Sequence, residues 1–468
     1  MTQATEPAED RAELRALDDE EMLEQAARDV VAALDADDGA GDAAELARLL
    51  APLHEADIAD LIEQLDSPRR HALVEALDPE TLSEVLAELE EGARDAVLAR
   101  LDPARLAAAV RELDSDDIVY LVEDLDEEDQ KRVLEGLDAS DRIVVEQALS
   151  YPDYSAGRLM QREVVTAPPF WTVGQMIDTM RAREDLPETF YDVVVVDPAM
   201  KPVGRVSLAR MLGARRPVTL GGIMEEDFRT VGVADPQEDV ARLFEKYHLV
   251  SIPVVDEAGR LAGVITIDDA MSVLDDEAEE DLLRLGGVGD EEINDRVWET
   301  VRRRAPWLAV NLLTAILASL VIAIFDEVIA QVVALAVLMP IVASMGGNAG
   351  TQTLTVTVRA LATRDLTATN ALRVVGREAL AGGLNGLIFA LVIGGVGLAW
   401  YGDPMLGVVL GLAMVVNMLA AGLAGILIPM ALDRVGADPA LASGTFVTTV
   451  TDVVGFFAFL GLGALLLL

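Results

Sequence analysis

The sequence contains no cysteine, which excludes disulfide bonds, thiolate metal sites and cysteine nucleophiles. It has only three histidines, His54, His71 and His248, and they are scattered along the chain. The sequence shows no paired nucleophile and base, no phosphate-binding glycine loop and no metal-binding helix motif. We therefore do not expect this protein to be an enzyme.

Basic residues are scarce too, since 36 Lys and Arg face 81 Asp and Glu and give a formal net charge of -45. Nearly all of this excess lies before residue 305, because the sequence from there onward has only five basic and eight acidic residues. A module as acidic as this repels nucleic acid and anionic lipid surfaces, and its natural ligands are cations. The sequence predicts an acidic soluble module joined to a membrane module, with no nucleic-acid partner.

The N-terminal segment, residues 1–40, is rich in Asp, Glu and Ala, which is typical of a solvated and partly helical extension. Its first residues, MTQATEPAEDRAEL, have neither the basic nor the apolar region of a signal peptide. We expect the acidic module to stay in the cytoplasm.

Residues 41–150 contain a 12-residue repeat in which a Leu is followed by an acidic residue. The pairs are Leu65-Asp66, Leu77-Asp78, Leu89-Glu90, Leu101-Asp102, Leu113-Asp114, Leu125-Asp126 and Leu137-Asp138. An Asp there accepts hydrogen bonds from the first amides of a helix, and Pro79 and Pro103 follow at the first helical position, where proline is favoured. The repeat predicts short helices stacked into a superhelix. The acidic residues are either caps alone or, in the LDSDD motif with Asp114, Asp116 and Asp117, also oxygen ligands for a divalent cation.

Residues 151–274 change to alternating strands and helices and contain two similar halves, about 157–220 and 221–274. GRLM recurs as GGIM, and VVVVDPAMKPVGRVSLARML recurs as IPVVDEAGRLAGVITIDDAM. This pattern resembles a tandem pair of CBS motifs, a regulatory α/β module that often binds adenine nucleotides. By that resemblance, Gly263, Thr266 and Asp269 match the ribose-binding pattern G-x-x-T-x-x-D, so ATP is a candidate ligand. In the first half Arg210 stands in place of the acidic residue.

The next segment, residues 275–304, is predicted to be an acidic connecting helix. Its carboxylates crowd together and repel one another unless solvent or cations screen them. They are Asp275, Asp276, Glu277, Glu279, Glu280 and Asp281. Either this helix simply has a solvated face, or it links the CBS pair to the membrane module.

Residues 305–468 predict five membrane-spanning helices, since five apolar runs approach or exceed the roughly 20 residues that a bilayer requires. We place them at Pro306–Phe325, Val328–Gly346, Gly376–Trp400, Met405–Leu432 and Leu441–Leu468. Arginines precede the first run, lie between the second and third, and lie between the fourth and fifth, whereas the other two loops have none. The positive-inside rule then predicts a plasma (inner) membrane protein with a cytoplasmic N-terminal module and an external C-terminus.

The last of these runs carries Asp452 as its only charge. At helical spacing, Thr445, Thr448 and Thr449 lie on the same face as Asp452. A carboxylate at such depth costs roughly 2.5–3.5 kcal/mol and normally faces a bundle interior or water rather than lipid. The last helix therefore has one polar side.

A second polar run, MPIVASMGGNAGTQTLTVTV at residues 339–358, overlaps the second span. Its Gly346, Gly347 and Asn348 form a poor surface for lipid but a good lining for a cavity. Together with the polar side of the last helix, this run predicts an ion path.

The order of these parts resembles the MgtE family of magnesium channels over almost the whole chain. The most specific motifs are GGNAGTQ (346–352), RALATRDL (359–366), GADPAL (436–441) and TDVVG (451–455). The resemblance implies a multidomain protein with an α-helical superhelical repeat domain, a tandem CBS α/β domain and an all-α membrane domain of five transmembrane helices. It also implies a homodimer in membrane lipid whose pore lies between the second and fifth spans of both subunits, where each Asp452 selects the ion.

Position by position, the resemblance also implies magnesium ligands in the cytoplasmic part. They are Asp269, Glu277, Glu280 and Asp281, with Asp438 as a ligand where the connecting helix meets the membrane module. Ser272 and His248 stand where the family pattern has acidic residues. Because Mg2+ prefers oxygen ligands, we expect fewer or weaker sites here.

The residues and the resemblance together predict a magnesium-selective channel that imports Mg2+ down its electrochemical gradient and is closed by cytoplasmic Mg2+. Ions bound between Asp269 or Asp281 and the helical repeat would draw the acidic module together. The alternative is an ion-coupled secondary transporter of divalent cations (Mg2+, Co2+, Ni2+ or Mn2+), in which Asp452 is a titrating relay. The lack of a Lys, Glu or His partner deep in the predicted spans counts against this alternative.

Overall fold

The computed structural model describes residues 25–35, 43–123, 125, 127–183, 186–187, 189–288 and 297–468. Most of the expected N-terminal extension, residues 1–40, and Asp126 of the repeat lie outside the described residues. The chain divides into two compact units, Met1–Asp275 and Asp276–Leu468. The first unit contains the helical repeat and the CBS pair, and the second contains the apolar helices.

The N-terminal part of the first unit is made of short helices, as the repeat predicts. They are α1 (residues 25–35), α2 (Ala43–Leu50), α3 (Glu55–Gln64), α4 (Ser67–Ala76), α5 (Pro79–Glu88), α6 (Glu91–Leu98), α7 (Pro103–Ala109), α8 (Ser115–Val122), α9 (Glu127–Gly136) and α10 (Ala139–Ala148). The predicted caps are confirmed at Asp66, Asp78 and Asp102, whose side chains accept backbone amide hydrogen bonds. Asp114 also occupies an N-cap position, but its side chain makes no capping bond.

The leucines of the repeat explain why the helices stack. Leu65, Leu77, Leu89 and Leu101 each precede a cap and are buried in one continuous apolar core. A buried Leu followed by a capping acid therefore ends one helix inside the core and begins the next at its surface. Local capping and burial act at the same step of the repeat.

The CBS pair consists of two three-stranded sheets with the same topology. The elements are α11 (Ala156–Leu159), β1 (Thr166–Ala167), α12 (Val173–Ala182), β2 (Asp192–Val196), β3 (Pro202–Ser207), α13 (Leu208–Gly213), β4 (Val231–Gly232), α14 (Gln237–Tyr247), β5 (Ser251–Val255), β6 (Leu261–Thr266) and α15 (Ile267–Leu285). In each sheet the first strand is parallel to the second, and the second is antiparallel to the third. The register shifts at matching places, after Val195 and after Val254, which confirms the internal repeat.

The two halves of the CBS pair complete each other through the repeated GRLM and GGIM segments. A Cβ added at Gly263 would lie 2.5 Å from the Gln161 carbonyl oxygen and 2.8 Å from the Met160 sulfur. In the other half, a Cβ at Gly204 would lie 2.8 Å from the Met224 sulfur. Glycine is needed at both positions because the segment before each half packs against the sheet of the other half.

Helix α15 differs from the connecting helix expected at residues 275–304. It begins at Ile267, inside the second CBS half, and ends at Leu285. No glycine or proline interrupts it, so the last CBS helix and the acidic segment are one helix. Gly287, with a φ of +72°, follows its end and allows the chain to leave the helix.

The second unit is all helical after α15. Its helices are α16 (Val297–Ala323), α17 (Asp326–Gln331), α18 (Ala334–Ala362), α19 (Ala371–Tyr401), α20 (Pro404–Arg434) and α21 (Pro439–Leu466). Five of them, all except α17, are long and apolar enough to cross a membrane, as expected. The second span is longer than the predicted Val328–Gly346 run, because the helix continues through Gly346 and Gly347 to Ala362.

Helix α20 is the most buried of the five and packs against α18, α19 and α21. Its contacts depend on glycines that let backbones approach closely. A Cβ at Gly407 would lie 2.7 Å from the carbonyl oxygen of Gly394 on α19, and one at Gly425 would lie 2.8 Å from that of Gly350 on α18. Helix α20 thus forms the support on which α18 and α21 lie side by side.

Candidate ion-binding sites

The first candidate site lies in the first unit and is called the acidic cluster here. It consists of Asp114, Asp116, Asp117, Asp268 and Asp269. The first three begin α8 and the last two lie in the first turn of α15, where acidic residues favour the positive end of the helix dipole. The Ser115 hydroxyl helps to position α8, since it donates a hydrogen bond of 2.8 Å to Glu163 in the segment before the first sheet.

Burial and mutual repulsion dominate the electrostatics of the acidic cluster. Burial, together with the carboxylates of Asp269 and Asp114, raises the pKa of Asp116 well above its usual value. Burial and the Asp116 carboxylate raise the pKa of Asp117 to about 8, and burial and Asp268 raise the pKa of Asp269 to about 7. The charged groups that act most strongly on these pKa values are all acidic. A cation placed among them would therefore lower the three pKa values and relieve the repulsion.

The arrangement suits a hydrated ion better than a bare one. In the residues that the structure describes, no group of three His, Cys, Asp or Glu side chains is already arranged to hold a metal ion. The carboxylates would have to approach one another or bind through water. Mg2+ gives up its water reluctantly and is often held by only one or two carboxylates, so the donors of the acidic cluster fit it.

Asp269 is predicted to bind both an ion and a nucleotide. Its Oδ2 accepts a hydrogen bond of 2.9 Å from the hydroxyl of Thr266, which is buried. In the first half, Ser207 caps α13 and Arg210 forms an ion pair of 3.3 Å with Glu225. The prediction of a nucleotide site in the second half stays a prediction.

The second candidate site is the junction between the end of α15 and the start of α21. Asp438 is the N-cap of α21, and its Oδ1 accepts a hydrogen bond of 2.7 Å from the Ala440 amide. Its Oδ2 accepts another of 2.7 Å from Arg284, which also contacts Glu280. Two of the predicted magnesium ligands, Glu280 and Asp438, are thus bridged by a guanidinium.

The other predicted ligands on the connecting segment, Glu277 and Asp281, are half-buried and lie one turn apart on α15. They belong with Glu280 and Asp438 to the second unit, whereas Asp269, Asp114 and Asp116 belong to the first. The cytoplasmic ligands that the resemblance implies therefore form two groups.

The third candidate site is the polar side of α21. Asp452 is half-buried, and no hydrogen bond or ion pair links its carboxylate to another described residue. Thr448 is exposed and Thr449 half-buried, and their hydroxyls donate to carbonyl oxygens one turn earlier, at 2.9 and 2.6 Å. Val447 and Thr451, at other positions around the helix, are fully buried. On the side of α21 that carries Asp452, Thr445 donates a hydrogen bond of 2.7 Å to Asn311 of α16, so this side is only partly covered within the unit.

Helix α18 presents a similar open side. Asn348 is exposed, and among the described residues nothing lies within 4 Å of a Cβ added at Gly347. Gly346, in contrast, is buried against α20. Helices α18 and α21 pack against each other where Gly350 approaches Val447. The open sides of α18 and α21 together form what we call the polar stripe, with Asn348, Gly347, Thr448 and Asp452 as its members.

Asn417 on α20 is a residue that the sequence analysis missed. It is fully buried and donates a hydrogen bond of 2.7 Å to the Val342 carbonyl oxygen. Its Nδ2 would lie 2.2 Å from a Cβ at Gly346 and 2.7 Å from one at Gly455, so both glycines are required for this fit. The sequence feature that could have indicated Asn417 is its single amide side chain within the apolar run GLAMVVNMLAAGLAG. Asn417 joins α20 to α18 and α21 directly behind the polar stripe.

Glu378 is another carboxylate in the apolar helices, and it is paired. Glu378, near the start of α19, forms an ion pair of 3.1 Å with Arg377 and accepts a hydrogen bond of 3.4 Å from Thr353. It lines a cavity of about 280 Å³ between α18, α19 and α20, together with Asn385 and Gln352. Glu378 thus differs from Asp452, whose carboxylate has no hydrogen bond or ion pair with another described residue.

Comparison with known families agrees with this arrangement. Residues 339–462 match the MgtE model, described as a divalent cation transporter, residues 53–154 match the MgtE intracellular N domain, and residues 156–216 and 220–276 match the CBS domain. The chain is 36% identical over 332 residues to the magnesium transporter MgtE of Thermus thermophilus, which covers 70% of this chain and 73% of that protein. The chain belongs to the MgtE family.

Other MgtE proteins and structures are similar as well. The magnesium transporter MgtE of Enterococcus faecalis is 34% identical over 321 residues, or 69% of this chain and 71% of that protein. The crystal structure of the soluble part of a magnesium transporter covers 55% of this chain and 99% of its own, with 28% identity and a TM-score of 0.49. That of the cytosolic domain of the Mg2+ channel MgtE in complex with ATP covers 52% and 99%, with 31% identity and a TM-score of 0.48.

Membership of the MgtE family confirms the predicted family and fold class. The family is described as one of divalent cation transporters, and its N domain as intracellular. This chain combines that N domain and a CBS pair with five helices that are able to span a membrane. It is therefore a multi-pass membrane protein with a cytoplasmic N-terminal module.

Proposed function

We propose that this protein is a homodimeric channel that lets Mg2+ enter the cell down its electrochemical gradient and that closes when cytoplasmic Mg2+ binds its acidic module. The ion path runs between two copies of the chain and is lined by the polar stripes of both. The observation that carries the proposal is the half-buried carboxylate of Asp452 on that stripe, which has no partner among the described residues.

The side chains of the polar stripe should face protein or water and not the lipid hydrocarbon. Charged and amide side chains are expensive in hydrocarbon and normally face a bundle interior or a water-filled cavity. Within their own unit, Asn348 and Thr448 are exposed and Asp452 is half-buried. A second copy with the same stripe facing this one would enclose a water-filled path and remove the polar groups from lipid. The two-fold contact that results is the commonest form of homodimer.

Asp452 is suited to a hydrated divalent ion. Two Asp452 carboxylates facing each other across the path would attract a divalent cation through its water shell, and amide and hydroxyl groups would contact the outer waters. Water-mediated binding is weak enough for the ion to leave, which conduction requires. In this account Gly347 leaves space for the waters, and Asn348, Thr448 and Thr449 offer polar atoms.

Closure follows from the charge of the acidic cluster. Without a divalent ion, Asp116, Asp117 and Asp269 must either take up protons or repel one another across the contact between α8 and α15. An ion bound there draws the helical repeat and the CBS pair together and restricts α15. Because α15 continues into the second unit, the bound state favours one position of the connecting segment over others.

The orientation that we propose has the C-terminus outside. The five spans are odd in number, and the arginines of the membrane module lie at or near the helix ends that we assign to the cytoplasmic side. The reverse orientation would place these arginines outside and the acidic cluster away from cytoplasmic Mg2+.

The experiment that tests the proposal is Mg2+ uptake by proteoliposomes containing the full chain or its Asp452→Asn variant. The variant keeps the size of the side chain and removes its charge, so it should assemble normally and lose most Mg2+ flux and the preference over monovalent cations. Asp433→Asn, which neutralises an exposed carboxylate at the end of α20, is the matched control and should conduct normally. Wild-type flux and selectivity in Asp452→Asn would reject the proposal, and uptake driven by a pH gradient would favour a coupled transporter.

A further inference from the structure

Arg284, in the last turn of α15, has two carboxylate partners. Its Nη1 donates a hydrogen bond of 2.7 Å to Oδ2 of Asp438, and its Nη2 contacts Oε1 of Glu280. The side chains of Arg284, Glu280 and Asp438 are 32%, 30% and 28% exposed, so the bridge is largely shielded from water. Shielding strengthens ion pairs that are otherwise screened at a protein surface.

Both oxygens of Asp438 already have partners. One caps the first turn of α21 through the Ala440 amide, and the other accepts the Arg284 hydrogen bond. A metal ion that used Asp438 as a ligand would have to displace the guanidinium or remove the cap. The donors of this junction therefore do not fit a divalent ion in the way that those of the acidic cluster do.

An apolar contact accompanies the bridge. Leu285, the next residue, packs against an apolar cluster made by α18, α20 and α21. Its members are Leu354, Val358, Ala424, Ala440 and Val447. Arg284 and Leu285 thus attach the end of α15 to both helices of the polar stripe. The attachment uses only groups of this chain.

We propose that Arg284 is the resident cation of this junction and that it holds the end of α15 on α18 and α21 when no divalent ion is bound. Mg2+ then acts at the acidic cluster, while Glu280 and Asp438 are neutralised by the protein itself. The proposal rests on the proposed function only for the role of α18 and α21 in the ion path. Arg284 is a positioning residue and touches no transported ion.

Disulfide crosslinking tests this proposal, since the natural sequence has no cysteine. A Cβ at Gly444 would lie 3.9 Å from the Leu285 carbonyl oxygen, so the pair Leu285→Cys and Gly444→Cys reports whether the end of α15 lies on α21. The full chain carrying this pair is reconstituted in nanodiscs and oxidised in EDTA or in 10-fold excess Mg2+ over the half-saturating concentration. The crosslinked peptide is measured by mass spectrometry.

In the chain that keeps Arg284, we expect the disulfide between positions 285 and 444 to form at similar rates with and without Mg2+. Adding Arg284→Gln should slow the reaction in EDTA roughly tenfold or more, because hydrogen bonds between charged groups are lost. Mg2+ should restore part of that rate, since Glu280 and Asp438 are then available to an ion. Asp438→Asn keeps a good helix cap and removes the charge, and it should slow the reaction in the same way.

Arg302→Gln is the matched control, because Arg302 is exposed at the start of α16 and should leave the rate unchanged. Two results would overturn the proposal. One is that the cysteine pair in a chain with Arg284 crosslinks only in Mg2+, and the other is that Arg284→Gln does not slow crosslinking in EDTA. Crosslinking is read without ion flux. If Arg284→Gln leaves the crosslinking rate unchanged while Asp452→Asn still abolishes Mg2+ flux, only the Arg284 proposal is rejected. If Asp452→Asn conducts Mg2+ normally, only the transport proposal is rejected.

Discussion

The two units of the chain differ in whether a basic side chain balances their carboxylates. In the first unit, Asp116 is buried and Asp117 and Asp269 are half-buried, and their strongest charged neighbours are other acids. In the second unit, Glu280 and Asp438 share Arg284. A carboxylate alone does not therefore indicate a metal site, and the charge that balances it decides whether an ion is needed. We therefore expect the first arrangement to respond to divalent ions and the second to be complete without them.

The largest expected effect concerns pH. The folded protein raises the pKa of Asp117 to about 8 and that of Asp269 to about 7, so between pH 4 and 8 it binds more protons than the unfolded chain. Stability of the first unit should therefore be greatest at the acid end and fall as the pH rises through this window, by about 2–4 kcal/mol between pH 6 and 8.5. The urea midpoint of the full chain at pH 6 and 8.5 in EDTA, followed by circular dichroism, checks this. Saturating Mg2+ should remove the difference, and a midpoint that rises with pH would contradict the electrostatic account.

The next prediction concerns specific ion binding at the acidic cluster. Mg2+ at about one hundred times its dissociation constant should slow proteolysis between the helical repeat and the CBS pair roughly a hundredfold. The triple variant Asp116→Asn, Asp117→Asn, Asp269→Asn should lose this protection while resisting the protease well in EDTA, because its repulsion is gone. The control triple Asp57→Asn, Asp60→Asn, Asp141→Asn should keep it. Equal protection by monovalent salt at matched ionic strength would show that screening, not binding, is responsible.

A smaller effect is expected where packing rather than charge is decisive. Gly346→Ala places a Cβ 2.2 Å from the Asn417 Nδ2 and should destabilise the membrane unit by about 1–3 kcal/mol. Gly347→Ala is the neighbouring control, since a Cβ there meets nothing within 4 Å among the described residues. Thermal unfolding in detergent measures both. If the two variants were equally stable, α18 would not be held by Asn417 as described.

The smallest effect compares two equivalent positions of the repeat. Asp78 caps α5 and its pKa is lowered by the Thr81 amide hydrogen bond, so Asp78→Ala should cost about 1 kcal/mol. Asp114 occupies the same place before α8 without a capping bond and belongs to the acidic cluster. Asp114→Ala should therefore cost less in EDTA and weaken the Mg2+ effect. Urea midpoints of both variants, with and without Mg2+, decide the matter, and equal costs would make Asp114 an ordinary cap.

Features that depend on local sequence were predictable. The helical repeat follows from an inward Leu and a capping acid at each step, and the five spans follow from length and hydropathy. The matched sheets follow from the repeated segments. Resemblance, rather than pattern, supplied Asp269 and Asp438 as candidate ligands.

Features that depend on distant contacts were not predictable. Arg284 and Asp438 are 154 positions apart, and nothing near Arg284 in the sequence indicates its partner. Asp268 was overlooked beside Asp269, although it acts on the same carboxylates. The start of α15 was misplaced because the change from a CBS half to an acidic segment looks like a boundary, while helix-forming residues run through it without a break.

Helix α15 connects the two groups of carboxylates. Asp269 of the acidic cluster lies in its first turn, and Arg284, which binds Glu280 and Asp438, lies in its last. Asp269 and Arg284 are 15 residues apart, a rise of about 22 Å, and a helix neither stretches nor compresses appreciably. Its phase is therefore part of the mechanism. Inserting one alanine near the middle would turn Arg284 by roughly 100° relative to Asp269 without altering a single charge. The chain would keep both groups of carboxylates, and only their rotational alignment along one helix would be lost.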